Sequence, residues 1–286
     1  MVNLAGSAEA RAGERRLATA AMGTRFEIVL AAGAGDLMAA GEAAVAEICD
    51  CHARLSRFAS DSLVSHLART APGTPVRLDG ETFRLFTDAV AVWRASDGAF
   101  DITVGPLMAT HGYKPSAVAA LSYVGTETIQ LHEEQWAVSF RSGGVGLDFG
   151  AIAKGHALDL AGAALREAGV TAALLHGGTS SVLAIGAPED AEGWAVAIPF
   201  EGGRRIVRLC DSALAVSHPA SQSGEGGVAH VMDPRTGLPV GRPRRVAVHG
   251  PSARLCDAWS TALAVLGEIP DTFPGAYRAL FEPDTP

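Results

Sequence analysis

Residues 146–178 string together an alternating apolar run, a turn of small residues, a lysine and a helical pattern, and this order constrains the fold more than any composition does. Val145, Leu147 and Phe149 alternate with Gly146 and Asp148, the period-2 signature of a short strand. Gly150, Ala151, Ile152 and Ala153 then turn the chain with little side-chain bulk, so that main chain can approach a ligand closely. From Lys154 the apolar positions Ala157, Leu158, Ala161, Ala164, Leu165 and Ala168 follow the helical period, and Gly169 stands where a left-handed C-terminal cap belongs. Lys154 therefore sits at a helix N-terminus, where the macrodipole disfavours a cation unless an anion lies nearby. Two readings of it stand on these residues: a lysine of an anion site, and a surface lysine on an ordinary strand-turn-helix unit. The glycine spacing is neither GxGxxG nor GxxxxGK[ST], so neither a dinucleotide fold nor a P-loop is indicated.

The flanking sequence supplies further elements. Phe26, Ile28 and Leu30 predict a first strand, and a helix is expected over about 36–52, with a second, short one over 63–69. Asp79 is an expected N-cap for a helix carrying Phe83, Phe86, Val90 and Trp93 and ending near Asp97 and Gly98. Segments 128–131 and 136–141 predict a hairpin; 171–175, 181–186, 193–199, 204–209 and 245–249 predict strands, and 257–266 a last helix. Helices and strands intersperse without strict βαβ alternation, which predicts an α+β, mixed-sheet architecture over a doubly wound one. With 286 residues, no low-complexity linker and no internal repeat, the chain is expected to form one compact, two-lobed domain over 18–286 behind a flexible N-terminal arm at 1–17.

Charge narrows the function classes. Asp and Glu outnumber Lys and Arg by 31 to 23, giving −8, and the longest basic cluster is Arg242-Pro243-Arg244-Arg245, which argues against nucleic acid as a partner. No apolar run approaches the ~18 residues of a membrane span, and the N-terminus lacks a run of signal-peptide length, so a cytoplasmic location is expected. Cys49, Cys51, Cys210 and Cys256 show no CxxC spacing and are expected to be reduced packing residues. The scattered histidines form no HExxH or Cys/His zinc pattern, and no GxSxG elbow is present. Asp257 and Thr261, four apart on a helix, face the same way, and two such oxygens with a backbone carbonyl suit a hard cation such as Mg²⁺. Ordinary structural roles stay open beside that one: Asp257 as an N-cap, Thr261 bonded back to a helical carbonyl, His230 as a surface histidine.

Seven segments in one order carry a resemblance: MGT at 22–24, SRFASDS at 56–62, GAFDITVGPL at 98–107, LDFGAIAKGHALD at 147–159, GG at 177–178, HVMDPRTG at 230–237 and DAWSTAL at 257–263. Together they resemble the ApbE family of FAD:protein FMN transferases over about residues 20–267. The resemblance implies a T-fold-like α+β protein that binds FAD and Mg²⁺ and transfers FMN to a Ser or Thr of an acceptor flavoprotein, releasing AMP. It further implies that Asp257, Thr261, Ser260 and the Ala151 carbonyl hold Mg²⁺, and that Met22, Phe58, Ala99, Phe100, Asp101, Asp148 and Lys154 line the FAD site. His230 is implied as the base for the incoming hydroxyl, a role that suits an imidazole near neutral pH. Thr179-Ser180-Ser181, 218–222 and 108–113 depart from the family's usual residues, and they bear on the flavin or adenine pocket and on partner docking. An FAD pyrophosphatase yielding FMN and AMP, and a flavin-binding protein without turnover, are the competing expectations.

Overall fold

β7 (Val170–Gly177) and β8 (Ser181–Ile185) read as nearly continuous apolar runs because both faces of the sheet they form are covered. Ala173, Leu175, Leu183 and Ile185 point into the main core, whereas Ala172, Leu174, Val182 and Ala184 point into a second apolar layer on the opposite face. The computed structural model that shows this describes residues 3–4, 14–109, 121–200, 203–218, 231–240 and 244–283.

The central sheet is completed by β2 (Arg15–Ala21), β3 (Thr24–Gly33), β11 (Ser212–Ser217), β14 (Val246–Gly250) and β15 (Arg278–Phe281), in the order β15-β14-β11-β8-β7-β3-β2. Its neighbours all pair antiparallel. Three helices cover one face: α1 (Leu37–Leu55) over β2 and β3, a helix at Ala153–Glu167 over β7 and β8, and one at Ala253–Leu266 over β11 and β14. On the other face β9 (Trp194–Phe200) and β10 (Gly203–Leu209) form a hairpin, with β1 (Asn3–Leu4) beside β9; Trp194, Val196, Ile198 and Leu209 fill the layer between.

A smaller lobe holds α2 (Leu63–Thr70), α3 (Gly80–Ala95), α4 (Gly105–Ala109) and the sheet β4-β6-β5, formed by Val76–Arg77, Ala137–Phe140 and Ile129–His132. Leu85, Val138 and Phe140 of this lobe belong to the same buried cluster as Ile28, Leu30 and Leu158, so a single core runs through both. Below, α5 denotes Ala153–Glu167, α6 Ala253–Leu266, and β12 and β13 the short pair Met232–Asp233 and Leu238–Pro239.

The α+β architecture agrees with the sequence reading, and several boundaries do not. Arg15, Arg16 and Leu17, expected in the arm, pair with Leu30, Val29 and Ile28 in the sheet. The expected strand at 145–149 is an irregular segment that touches 102–105 through one parallel bridge, Val104 to Gly146. Its alternation is real, since Val145, Leu147 and Phe149 are buried, but they are threaded into the core as an extended loop rather than paired in a ladder. The last helix starts four residues earlier than expected, capped by Ser252, whose side chain accepts the Leu255 N–H, which removes Asp257 from a capping role.

Candidate functional site

Turns from both lobes converge beyond one end of the central sheet and enclose a cavity of about 540 Å³. Local backbone conformation aims several of them. The β2–β3 turn holds Met22 and Gly23 at φ 50° and 70°, the left-handed pair that a two-residue hairpin turn requires, and this puts a strained non-glycine residue on the cavity wall. Asp97 and Gly98, at φ 50° and 73°, end α3 and turn the following residues inward, so that Ala99, Phe100 and Asp101 form a second wall.

Asp101 is buried and fully engaged. Its Oδ1 accepts the Thr103 N–H and hydroxyl, each at 2.6 Å, and the Thr126 hydroxyl at 2.8 Å, while Oδ2 accepts the Thr126 N–H at 3.0 Å. Burial raises its pKa, and the bonds from Thr103 and Thr126 oppose that rise. Through these bonds Asp101 clips 101–103 to 126 and shapes the wall.

The floor is the segment from Asp148 to Lys154. Asp148 Oδ1 accepts the Gly150 N–H at 2.8 Å and Oδ2 pairs with Arg57 Nε at 3.1 Å. Lys154, in the first turn of α5, places Nζ 3.4 Å from the Gly150 carbonyl oxygen and 3.6 Å from Asp257 Oδ2. Asp257 Oδ2 also accepts the Gly155 N–H at 3.0 Å, and Oδ1 accepts the Ser181 hydroxyl at 3.1 Å. Ala151 and Thr261 line the same cavity. Arg57 and Lys154 are each paired with a carboxylate, so these four groups sum to zero formal charge.

Met22, Ala99, Phe100, Asp101, Asp148, Ala151, Lys154 and Thr261 are thus brought to one cavity, with Asp257 directly behind Lys154. Two residues of the expected site lie elsewhere. Phe58 is 83 % exposed and does not line the cavity; its ring lies 4.4 Å under the Arg57 guanidinium, which does. Ser260 is fully buried and does not line the cavity; its hydroxyl donates to the Asp257 carbonyl oxygen at 2.9 Å and lies 2.8 Å from Oγ of the wall residue Ser217. His230 falls outside the described residues, as do 219–222 and 110–113.

Thr179, Ser180 and His218, from the segments that the resemblance ties to the flavin or adenine pocket, do line the cavity, and so do Arg57 and Ser217, to which the sequence reading assigns no role. Arg57 stands in an aperiodic run between a helix end and Phe58, where the aromatic side chain is the more conspicuous residue. Thr179, Ser180 and Ser217 sit at strand ends, and only the pairing of β7, β8 and β11 puts those ends together.

Comparison with known proteins bears on this geometry. The ApbE family model matches residues 22–271. The FAD:protein FMN transferase of Haemophilus influenzae is 26 % identical over 246 residues, covering 77 % of this chain and 70 % of that protein. The FAD:protein FMN transferase of Rhodobacter capsulatus is 31 % identical over 228 residues, 74 % of this chain and 43 % of that protein. Among solved structures, the ApbE protein of Thermotoga maritima superposes with a TM-score of 0.79 at 26 % identity, covering 89 % of this chain and 87 % of that one. The flavin transferase ApbE of Vibrio cholerae shares the fold with a TM-score of 0.79 at 23 % identity, covering 88 % and 87 %. A family match across 22–271, on a chain whose cavity is walled by Met22, Ala99–Asp101, Asp148, Lys154 and Thr261, places the protein: it belongs to the ApbE family.

Proposed function

We propose that this protein transfers the FMN moiety of FAD to a Ser or Thr hydroxyl of an acceptor protein and releases AMP, with Mg²⁺ as its metal. The observation that carries the reading is the balanced floor of the cavity, where Arg57–Asp148 and Lys154–Asp257 cancel in charge. A pyrophosphate brought between them demands a further cation, and the donors at hand fit a hard one. Asp257 offers a carboxylate, Thr261 a hydroxyl and Ala151 a carbonyl, all oxygen, with room left for phosphate and water. Ser260 and Thr261 both direct their hydroxyls to the Asp257 carbonyl oxygen, at 2.9 and 3.3 Å, and of the two it is Thr261 that lines the cavity. When bound, the ion supplies neutralisation of the charge that develops on the pyrophosphate.

The chain's own groups account for the remaining steps. Arg57 and Lys154 hold the phosphates, and the small residues 150–153 let main chain come close to them. The acceptor oxygen bonds to the FMN phosphorus as the bond from that phosphorus to the bridging oxygen breaks. AMP leaves with that oxygen, and the hydroxyl proton passes to a base. His230 is the candidate for that base.

The test is incubation of the pure protein with FAD and Mg²⁺, with and without an acceptor protein modified by one of the relatives named above. Covalent flavin fluorescence on the acceptor, with AMP in equal amount, is the expected result. FMN and AMP formed equally without acceptor would make the protein a pyrophosphatase, and intact FAD in both arms would overturn turnover altogether.

A further inference from the structure

His218, a cavity-lining residue, follows directly on β11 and takes no part in the steps above. Its Nδ1 lies 3.4 Å from Arg245 Nη2. Arg245 is itself held in place: Nη1 donates to the Pro199 carbonyl and to Glu282 Oε1, and the Arg245 N–H donates to Glu282 Oε2 at 3.3 Å. Glu282 returns its own N–H to the Arg245 carbonyl at 2.8 Å. The two side chains are only 15 % and 11 % exposed, so the guanidinium is a fixed group and not a wandering surface arginine.

A guanidinium has donors and no acceptor, so Nδ1 of His218 must accept. A neutral imidazole that accepts at Nδ1 carries its proton at Nε2. Nε2 bonds no described residue, and the side chain belongs to a residue of the cavity wall. Protonating the ring would require Nδ1 to give up that bond and would set a second positive charge beside the guanidinium. Burial, and then Arg245, lower the His218 pKa, with Glu282 opposing.

We propose that His218 is a substrate-positioning donor: Arg245 locks it as the Nε2–H tautomer, and that N–H holds an oxygen of the bound flavin nucleotide without accepting the hydroxyl proton. The proposal rests on the flavin-nucleotide reading of the cavity and adds a second histidine with a role opposite to that of His230.

Nitrogen-edited NMR of the imidazoles in the protein alone is expected to show His218 protonated at Nε2 and not at Nδ1; an Nδ1–H tautomer would overturn the lock. FAD affinity is read from flavin fluorescence in the presence of Mg²⁺. His218→Ala is expected to bind FAD about tenfold more weakly, the scale of one lost hydrogen bond to a charged group. His218→Gln keeps an amide donor and is expected to stay within about twofold of wild type in affinity, with an unchanged pH profile of kcat. Loss of turnover in His218→Gln at unchanged FAD affinity would make the residue a proton acceptor and sink the proposal, as would wild-type affinity in His218→Ala. A wild-type protein that binds no FAD would overturn the flavin reading together with this one; FAD binding that ignores His218→Ala overturns this one alone.

Discussion

At the scale of single residues, Asp257 answers three donors at once, the Gly155 N–H, the Ser181 hydroxyl and the Lys154 ammonium. Asp257→Ala leaves the buried Gly155 N–H without a partner, a loss of about 1–3 kcal/mol. Asp257→Asn separates structure from chemistry, because its amide oxygen still accepts from Gly155 and its NH₂ donates to Ser181. We expect Asn to melt within a few degrees of wild type while the proposed Mg²⁺-dependent FMN transfer falls at least about a hundredfold. Wild-type transfer in Asp257→Asn would remove the residue from the proposed metal site. His156, buried in α5, accepts from Arg254 Nη1 at 3.2 Å, and burial followed by the Arg254 charge pushes its pKa down to about 3. The native ring therefore stays neutral while the unfolded one protonates below about 6.5. Between those values the unfolded chain binds the extra proton, so stability is lost as pH falls through the window, by up to about 1.4 kcal/mol per unit. His156→Asn keeps an acceptor for Arg254 and should flatten the melting temperature between pH 6.5 and 4.5 relative to wild type. An equally steep profile in the variant would assign the slope to other groups.

At the scale of elements, the site depends on how α5 and α6 cross, since one carries Lys154 and the other Asp257 and Thr261. Gly155 makes that crossing possible: a Cβ added there would collide with the Ala253 carbonyl. Gly155→Ala is favoured by helix propensity by about 0.8–1.0 kcal/mol, yet the collision forces α6 outward, a strain of about 1–3 kcal/mol or more. A net loss of stability in denaturant unfolding, together with weaker FAD binding, is the expected outcome. Asp159 fastens the same junction, accepting the Ser252 hydroxyl at 2.7 Å and the Ala253 and Arg254 N–H groups at 2.9 and 3.1 Å. One helix thus caps the next, an arrangement that the period of α5 announces only as a polar position. In α6 the sequence gives Ser252 as one more polar residue before an apolar run, and the capping contact fixes the start four residues ahead of Asp257.

Across the whole molecule, the two lobes share one core and are tied by Arg254, which is itself buried. Arg254 of α6 reaches α3, placing Nη2 2.8 Å from Asp88 Oδ2. Arg254→Leu leaves Asp88 without its guanidinium; because that carboxylate keeps some contact with water, the loss should be about 2–3 kcal/mol, under the 3–5 of a fully buried pair. A single unfolding transition, shifted to lower denaturant, would be seen if the lobes form one cooperative unit; two transitions would separate them. The local rules of the chain determined much of this protein. Hydrophobic period set the strands and helices, Gly169 the end of α5, and the small residues at 150–153 the turn before Lys154, because each depends on neighbours within a few positions. The order of seven short segments was equally a property of sequence. Tertiary structure alone decided which side chains meet: that Arg57 rather than Phe58 faces the cavity, that Thr261 lines it while Ser260 is buried behind Ser217, and that His218 lies against Arg245. Those outcomes follow from the crossing of α5 and α6 and the convergence of strand ends far apart in the chain, and no local periodicity carries that information.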